Sequence, residues 1–434
     1  MFAKSHYHLA CPVCGREFED CPGEFLLSCP EPHPPALLKA VYRQKRLVAH
    51  PERTGVFRFF DWLPVRRTFA GAPGPVVYRS KGLGPLLGLE NLFIIFNGYW
   101  PEKGAFMETC TFKELEAQAV CGRVSNDWAS RLVVSSAGNT ARAFLQSCSR
   151  YDIPALVVVP ASSLPLLWSL ERPKPSVRLA VLEGEADYSD AIALGNGIAN
   201  LQGFYSEGGA KNAARRDGMG TALLSMVEEA GEIPHHYFQA VGSGTGAIAA
   251  WEMNQRLIGD GRFGCRKTRL HLAQNAPFTP MVDAWEVGSR AIAGSDETSA
   301  RMRVRSIRAQ VLANRNPPYA IAGGLHDALR DTGGFMYRVT NEESLKAGYL
   351  FARQEGCDID PAAEVAVASL LHANAAGRIE PKDIVALNIT GGGRSKLEAS
   401  RSTERLTPDI RFQLADLGLK ESGTRIRELM EAAV

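Results

Sequence analysis

Short aliphatic runs alternate with longer segments of mixed polarity from about residue 130 onward. Aliphatic runs bounded by glycine, proline or polar residues predict buried strands; these runs are Arg131–Ser135, Ala155–Val159, Val177–Leu182, His236–Val241 and Ile384–Ile389. The longer segments predict helices; they are Gly138–Arg150, Tyr188–Leu201, Ala247–Ile258, Glu342–Gln354 and Ala362–Ala375. Alternating strands and helices predict an α/β fold with mostly parallel sheets and crossover helices.

The first 55 residues differ from this pattern and are predicted to form an N-terminal arm. The arm is rich in proline around Cys29–Pro35, and we expect a helix through Ala36–Arg46. With 434 residues, the chain is long enough for two domains, each with its own core.

The composition is that of a soluble globular protein, with 45% apolar and 22% charged residues. A formal net charge of +2 argues against a general nucleic-acid binder, although a local basic pocket for a small anion stays possible. The longest apolar candidate, Leu87–Phe96, is interrupted by Glu90 and Asn91. No apolar signal segment follows Met1–His6, so we expect a cytoplasmic protein with no membrane partner.

Four of the nine cysteines lie in the first thirty residues: Cys11, Cys14, Cys21 and Cys29, with His33 four residues later. Such spacing is compatible with a small zinc knuckle. The second pair lacks the Cys-x2-Cys form of a zinc ribbon, so a degenerate, metal-free arm is the alternative. The sequence alone leaves the choice open, and we assign no metal ligands from it.

Lys113 lies in the segment Thr109–Ala117, whose start has the features of a helix N-terminus. Thr111 suits the N-cap position, and Glu114 suits the reaching position of a capping box. These residues place Lys113 in the first turn, where unpaired N–H groups and the positive end of the helix dipole disfavour its charge. A lysine with a lowered pKa can form a Schiff base with an aldehyde. An ordinary surface lysine is the alternative interpretation of this segment alone.

Two loops of small residues follow predicted strands. The first can bring free N–H groups close to a carboxylate; it consists of Ser136, Ala137, Gly138, Asn139 and Thr140. The amide of Asn139 both donates and accepts, which suits a ring hydroxyl. The second loop can form an N–H cradle for a phosphate; it consists of Gly242, Ser243, Gly244, Thr245 and Gly246. Taken alone, each loop is also typical of an ordinary turn before a helix.

The order of these features resembles one enzyme family. Lys113 is followed by the Ser136–Thr140 loop, then by the glycine-rich loop, and finally by a strand that ends at Thr390-Gly391-Gly392-Gly393. This order resembles the fold-type II, or tryptophan synthase β-like, pyridoxal-phosphate enzymes, and among them the threonine synthase branch with its cysteate synthases. The opening Cys11-x2-Cys14-Gly15 and the segment Gly55–Phe59 are also similar to that branch, and the resemblance covers residues 8–395.

The resemblance implies pyridoxal 5′-phosphate as the cofactor, held as a Schiff base by Lys113, which would be the catalytic residue. It also implies that Asn139 touches the ring oxygen, that Gly242–Gly246 hold the phosphate, and that Thr390 faces the ring nitrogen. A threonine hydroxyl is too weak an acid to protonate pyridine, so the ring would stay largely neutral and favour elimination at the β-carbon. Substrate binding would fall to Ser136, Ala137, Gly138 and Thr140.

The resemblance implies that O-phospho-L-serine and sulfite are converted to L-cysteate and phosphate, a step towards coenzyme M. Glu114-Leu115 stands where threonine synthases have Asp-Arg, which argues against their reaction on O-phospho-L-homoserine. That reaction, a phosphoserine-dependent cysteine synthase and an inactive regulatory protein of the same fold are the alternatives. Candidate cations for the substrate anions are Lys103, Arg142, Lys211 and Arg394.

The resemblance further implies two three-layer α/β/α domains behind the arm. The larger, cofactor-binding domain would comprise residues 56–104 and 206–434, and a smaller mobile domain would comprise residues 105–205. The cofactor would lie in the cleft between the two domains. Small molecules would be the partners, together with further copies of the chain in a homo-oligomer.

Overall fold

The computed structural model describes residues 5–21, 25–128, 130–136, 138–294 and 296–416, together with positions 424 and 428. Its strands are β1 (Tyr7–Ala10), β2 (Glu17–Phe18), β3 (Lys39–Tyr42), β4 (Val76–Arg79), β5 (Asn91–Phe96), β6 (Tyr99–Trp100), β7 (Ala105–Phe106), β8 (Arg131–Ser135), β9 (Ala155–Pro160), β10 (Trp168–Ser169), β11 (Val177–Glu183), β12 (Phe204–Ser206), β13 (His236–Ala240), β14 (Arg269–Asn275), β15 (Phe335–Val339), β16 (Ile384–Ile389), β17 (Glu404–Arg405) and β18 (Ile410–Gln413). Its α-helices are α1 (Leu83–Leu87), α2 (Lys113–Arg123), α3 (Asn139–Arg150), α4 (Tyr188–Ala199), α5 (Ala213–Ala230), α6 (Thr245–Asp260), α7 (Pro280–Glu286), α8 (Glu297–Ser306), α9 (Leu325–Thr332), α10 (Asn341–Glu355), α11 (Pro361–Ala375) and α12 (Arg394–Ser400).

Two sheets carry the fold. The larger has the strand order β15-β14-β13-β16-β5-β4 and is parallel except for β4, which is antiparallel to β5. The smaller has the order β12-β8-β9-β11-β18 and is parallel throughout. The predicted fold class, α/β with mostly parallel sheets, is therefore confirmed. None of the described helices combines the length and the apolar character that a membrane crossing requires.

The aliphatic runs become strands because helices cover both faces of these sheets. Every residue of β9 is buried, and β16 is buried at all positions after Ile384. A strand covered on both faces needs apolar residues at successive positions rather than at alternate ones. The predicted bounds of β8 and β16 agree with the structure.

The N-terminal arm contains a small antiparallel sheet in the order β2-β1-β3. The prediction of a helix over Ala36–Arg46 is wrong, because β3 pairs with β1 in the register Tyr7 to Tyr42. Burial alternates along β3, with Ala40 and Tyr42 inside, and this period of two belongs to a strand. The buried hydroxyl of Tyr42 donates to Asp217 in α5 at 2.5 Å, which fixes the arm to the body of the protein.

The last described strand changes the predicted domain division. β18 forms the outer edge of the smaller sheet, where Ile410 pairs with Ala180 of β11. Its apolar residues Ile410 and Phe412 are buried in the core beneath that sheet, whereas Arg411 and Gln413 are exposed. The assignment of all of residues 206–434 to the larger domain is therefore wrong at this strand.

Candidate active site

One cavity gathers the loops that follow β8, β13 and β16, together with the start of α2. The carboxyl ends of parallel strands are where open α/β sheets form their ligand sites. Predicted site residues that line the cavity are Lys113, Ser136, Gly138, Asn139, Thr140, Gly242, Ser243, Gly244, Thr245, Gly246 and Thr390. The remaining one, Ala137, lies outside the described residues. Residues that are far apart in the sequence thus meet at a single cavity.

Lys113 is the first residue of α2, and its side chain is 19% exposed. The predicted capping box does not form: the N-cap residue is Phe112 and has no side-chain cap. Instead, Glu114 accepts a hydrogen bond from the backbone N–H of Thr109 at 2.5 Å. Burial is the main cause that lowers the pKa of Lys113, and the neighbouring Glu116 carboxylate opposes this shift. The lowered pKa follows from the loss of solvent around the amine.

Glu116 joins Lys113 to a buried network. Its carboxylate lies 3.4 Å from the Lys113 Nζ and accepts from the Thr140 hydroxyl at 2.9 Å. Arg215, in α5, lies 2.9 Å from the same carboxylate and 2.6 Å from that of Glu207. Burial alone would lower the pKa of Arg215, but the two carboxylates hold it above its usual value. The guanidinium therefore keeps its charge inside the protein.

Sequence reasoning missed this network. The spacing of Lys113 and Glu116, three residues apart on one helix, places them on the same face and is the one local signal available. Arg215 is 99 residues after Glu116 in the sequence. It reaches Glu116 because α5 packs on α2.

The glycine-rich loop forms a tight turn at the start of α6. A Cβ on Gly244, whose φ is +76°, would come within 2.8 Å of Leu325. One on Gly246 would come within 2.9 Å of the Phe112 ring, and the Lys113 Nζ lies 4.7 Å from the centre of that ring. The loop is therefore adjacent to the amine. Free N–H groups at the start of a helix of this length form a site for an anion.

The loop after β8 is held by polar contacts of its own. The Ser136 hydroxyl accepts from the backbone N–H of Ala141 at 3.0 Å. The side-chain carbonyl of Asn139 accepts from Arg142 at 3.0 Å, which fixes the orientation of this amide at the cavity. Burial raises the pKa of the Asp360 carboxyl to about 6, and Asn139 opposes this shift.

Thr390 connects the end of β16 to the segment before Lys113. Its carbonyl accepts from the backbone N–H of Phe112 at 3.0 Å and from the Thr111 hydroxyl at 3.2 Å. These bonds fix the start of α2 against the larger sheet. They place the lysine and the threonine next to each other at the cavity.

None of the four cations predicted to bind substrate anions is among the described residues that line the cavity. Arg142 donates to the carbonyls of Thr109 and Leu166. Arg394 stacks on the Trp168 ring at 3.6 Å. Lys103 lies over the Tyr78 ring, and Lys211 is exposed. The cations that line the cavity in the described part of the chain are Lys113 and Arg215.

Comparison with known proteins identifies the family of this chain. A family model described as pyridoxal-phosphate dependent enzyme matches residues 83–391. The chain is 48% identical over 414 residues to a protein named cysteate synthase from Methanoculleus marisnigri, covering 95% of this chain and 94% of that protein. It is 49% identical over 393 residues to a cysteate synthase from Methanosphaerula palustris, covering 90% and 91%.

Solved structures share the fold at low sequence identity. Maize serine racemase matches with a TM-score of 0.53 and 14% identity, over 75% of this chain and 90% of that one. An L-serine ammonia-lyase from the fungus Rhizomucor miehei matches with a TM-score of 0.52 and 14% identity, over 76% and 100%. At such identities the likeness establishes the fold alone.

Proposed function

The chain belongs to the pyridoxal-phosphate-dependent enzyme family, and on that premise we propose that it makes L-cysteate from O-phospho-L-serine and sulfite. The observation that carries the proposal is the identity of 48% over 95% of the chain to a protein named cysteate synthase. In the proposed reaction the bond between the β-carbon and the phosphate oxygen breaks, and a bond from the same carbon to the sulfur of sulfite forms. Inorganic phosphate leaves with the electron pair of the broken bond.

The residues around the cavity fit pyridoxal phosphate. A Cβ on Gly242 would come within 2.9 Å of the Leu312 backbone, so glycine there lets the loop lie against that segment while it lines the cavity. We propose that Gly242–Gly246 hold the phosphate, that Lys113 binds the cofactor covalently, and that Asn139 and Thr390 contact the ring. When bound, the cofactor supplies an electron sink that makes the α-proton of an amino acid acidic.

The second role proposed for Lys113 is to move that α-proton. An amine accepts a proton only in its neutral form, and burial favours that form here. After accepting the proton, Nζ is an ammonium 3.4 Å from the Glu116 carboxylate, which stabilises the new charge. Glu116 therefore positions the amine and balances its charge, while Lys113 is the group that acts on the substrate.

Substrate binding is proposed for the loop after β8. Backbone N–H groups of Ser136–Thr140 would hold the carboxylate, as in other anion sites at helix N-termini. The Thr140 hydroxyl would join them by turning its proton from Glu116 to the substrate. Arg215 donates to Thr140 at 3.3 Å and to Glu116, so it can fix both groups at once. The leaving phosphate and the incoming sulfite are both anions, and fixed cations at a site closed to water attract them most strongly.

The deciding experiment is a substrate assay on the purified enzyme. O-phospho-L-serine and sulfite should yield phosphate and L-cysteate in equal amounts. In one matched reaction, sulfide replaces sulfite. In another, O-phospho-L-homoserine replaces phosphoserine, and water takes the place of sulfite. Cysteine as the preferred product, or threonine from phosphohomoserine, would overturn the assignment of cysteate while leaving the cofactor assignment intact.

A homo-oligomer in the cytoplasm stays part of the proposal. The nine cysteines fit a reducing compartment and support the location, whereas the homo-oligomer is implied by the family resemblance. Light scattering coupled to size exclusion would give the mass of the assembly, and a single-chain mass would contradict the oligomer.

A further inference from the structure

Four side chains of the N-terminal arm converge on one point. The ligand atoms of Cys11, Cys14, Cys29 and His33 all lie within 4.8 Å of one another. The Sγ of Cys11 is 3.3 Å from Nε2 of His33, and the Sγ atoms of Cys14 and Cys29 are 3.7 Å apart. The remaining cysteine of the arm, Cys21, is exposed and does not belong to the group.

These separations match the edges of a tetrahedron around zinc. With Zn–S bonds of about 2.3 Å and Zn–N bonds of about 2.0 Å, tetrahedral geometry places two sulfurs about 3.8 Å apart and a sulfur and a nitrogen about 3.5 Å apart. The two measured pairs, Cys14 with Cys29 and Cys11 with His33, lie close to these values. The four ligand atoms need little movement to enclose one ion.

The contacts of His33 favour the same arrangement. Its Nδ1 lies 2.7 Å from the carbonyl of Pro34. A carbonyl only accepts, so Nδ1 carries the proton and Nε2 presents its lone pair to the cysteine sulfurs. A metal-binding histidine commonly donates its other N–H in this manner.

We propose that Cys11, Cys14, Cys29 and His33 bind one zinc ion in a closed, structural site. Three thiolates and an imidazole fill four positions and leave none for a water molecule, as structural rather than catalytic zinc requires. The ion joins the turn after β1 to the segment before β3, since Cys14 and Cys29 are 15 residues apart and Cys11 and His33 are 22 apart.

Hydrogen bonds connect the proposed zinc site to the rest of the fold. Two residues after His33, the carbonyl of Pro35 accepts from Ala322 at 3.4 Å, and the N–H of Leu37 donates to the carbonyl of Ala322 at 2.9 Å. The segment at Ala322 leads into α9, whose first residue, Leu325, packs against Gly244 of the glycine-rich loop. Zinc therefore holds the arm on the element that supports this loop, and its loss should lower the thermal stability of the enzyme.

The test is metal analysis of untagged holoenzyme produced in zinc-supplemented medium. We expect about one zinc per chain in the wild type and in Cys21→Ser, the matched control from the same arm. We expect less than a tenth of that content in the double variant Cys14→Ser, Cys29→Ser. Metal-free wild type, equal zinc in the double variant, or iron in place of zinc would each overturn the proposal.

A second measurement uses the wild type alone, in case the double variant does not fold. Removing the metal with a chelator should lower Tm, and adding zinc back should restore it. Replacement by cobalt should give the intense visible bands of a tetrahedral thiolate site, at longer wavelength than the cofactor absorbs. A protein whose Tm does not change when chelation removes its zinc would contradict the structural role of the ion, and a cobalt form without these bands would contradict the three thiolate ligands.

Discussion

The carboxylate of Glu116 lies 3.4 Å from the amine of Lys113. Both belong to the first turn of α2, and Arg215 holds the same carboxylate from α5. The amine is therefore subject to two opposed influences: burial favours its neutral form, and Glu116 favours its charged form.

Glu116→Gln should lower the pKa of Lys113 further, because it removes the charge that stabilises the ammonium. Covalent attachment of pyridoxal phosphate needs the neutral amine, so its midpoint should move to lower pH. Spectroscopic titration of apoenzyme with cofactor measures this midpoint. Glu207→Gln, which leaves the direct neighbour of Lys113 in place, is the control and should shift it less. A midpoint that moves to higher pH would contradict the proposed role of Glu116.

Lys113→Ala should abolish the absorption of covalently bound cofactor. Loss of a general base typically lowers the rate by about 10²–10⁴-fold, and the cysteate assay should show a decrease of at least this size. Lys103→Ala is the control, because Lys103 lies over aromatic rings outside the cavity. An alanine variant at 113 that keeps the absorption band would rule out Lys113 as the attachment point.

Gly246→Ala should weaken cofactor binding. The new Cβ would lie 2.8 Å from Gln239 and 2.9 Å from Phe112, so the turn around the phosphate must shift. We expect a rise in the Kd of the cofactor of about tenfold or more, equivalent to about 1.4 kcal/mol. Gly259→Ala, in the same helix but with open space around its Cβ, should leave Kd unchanged. Equal effects at both positions would show that the helix, and not the cradle, is responsible.

Glu114→Gln should stabilise the protein above neutral pH. Burial raises the pKa of the Glu114 carboxyl to about 7, although hydrogen bonds from Thr109 oppose the shift. A carboxyl whose pKa is raised in the folded state does not destabilise the protein below about pH 4.5. The loss of folding free energy grows between pH 4.5 and pH 7 and is complete above pH 7. The full cost is about 3 kcal/mol at most.

Urea unfolding at pH 5 and pH 8 tests this expectation. The gain in unfolding free energy for Glu114→Gln should be larger at pH 8, and the control Glu90→Gln, at an exposed position, should show no such dependence. A gain that is larger at pH 5 would contradict the stated sign.

The sequence predicted those features that depend on neighbouring residues. The aliphatic runs of β8, β9 and β16 show buried strands by composition alone, and the loops that follow them bear the small residues that a bound anion needs. The pattern around β3 wrongly predicts a helix, because the alternation of buried and half-buried residues there is only four residues long. The contacts of Glu116 with Arg215 leave no local trace, since they arise when α2 and α5 pack together.

The proposed zinc ligands also show that spacing in the sequence does not determine which side chains converge. Spacing alone leaves five candidates, whereas the folded arm brings Cys11, Cys14, Cys29 and His33 together and leaves Cys21 apart.

The position of β18 at the edge of the smaller sheet has a consequence for biosynthesis. β11 and its neighbours β9 and β8 leave the ribosome early, but their outer strand is not available until residue 413 has been translated. During that interval the edge of β11 is an open template for pairing with other nascent chains. The smaller sheet therefore reaches its final form late in translation, and a chaperone that shields this edge would have more than two hundred codons in which to act.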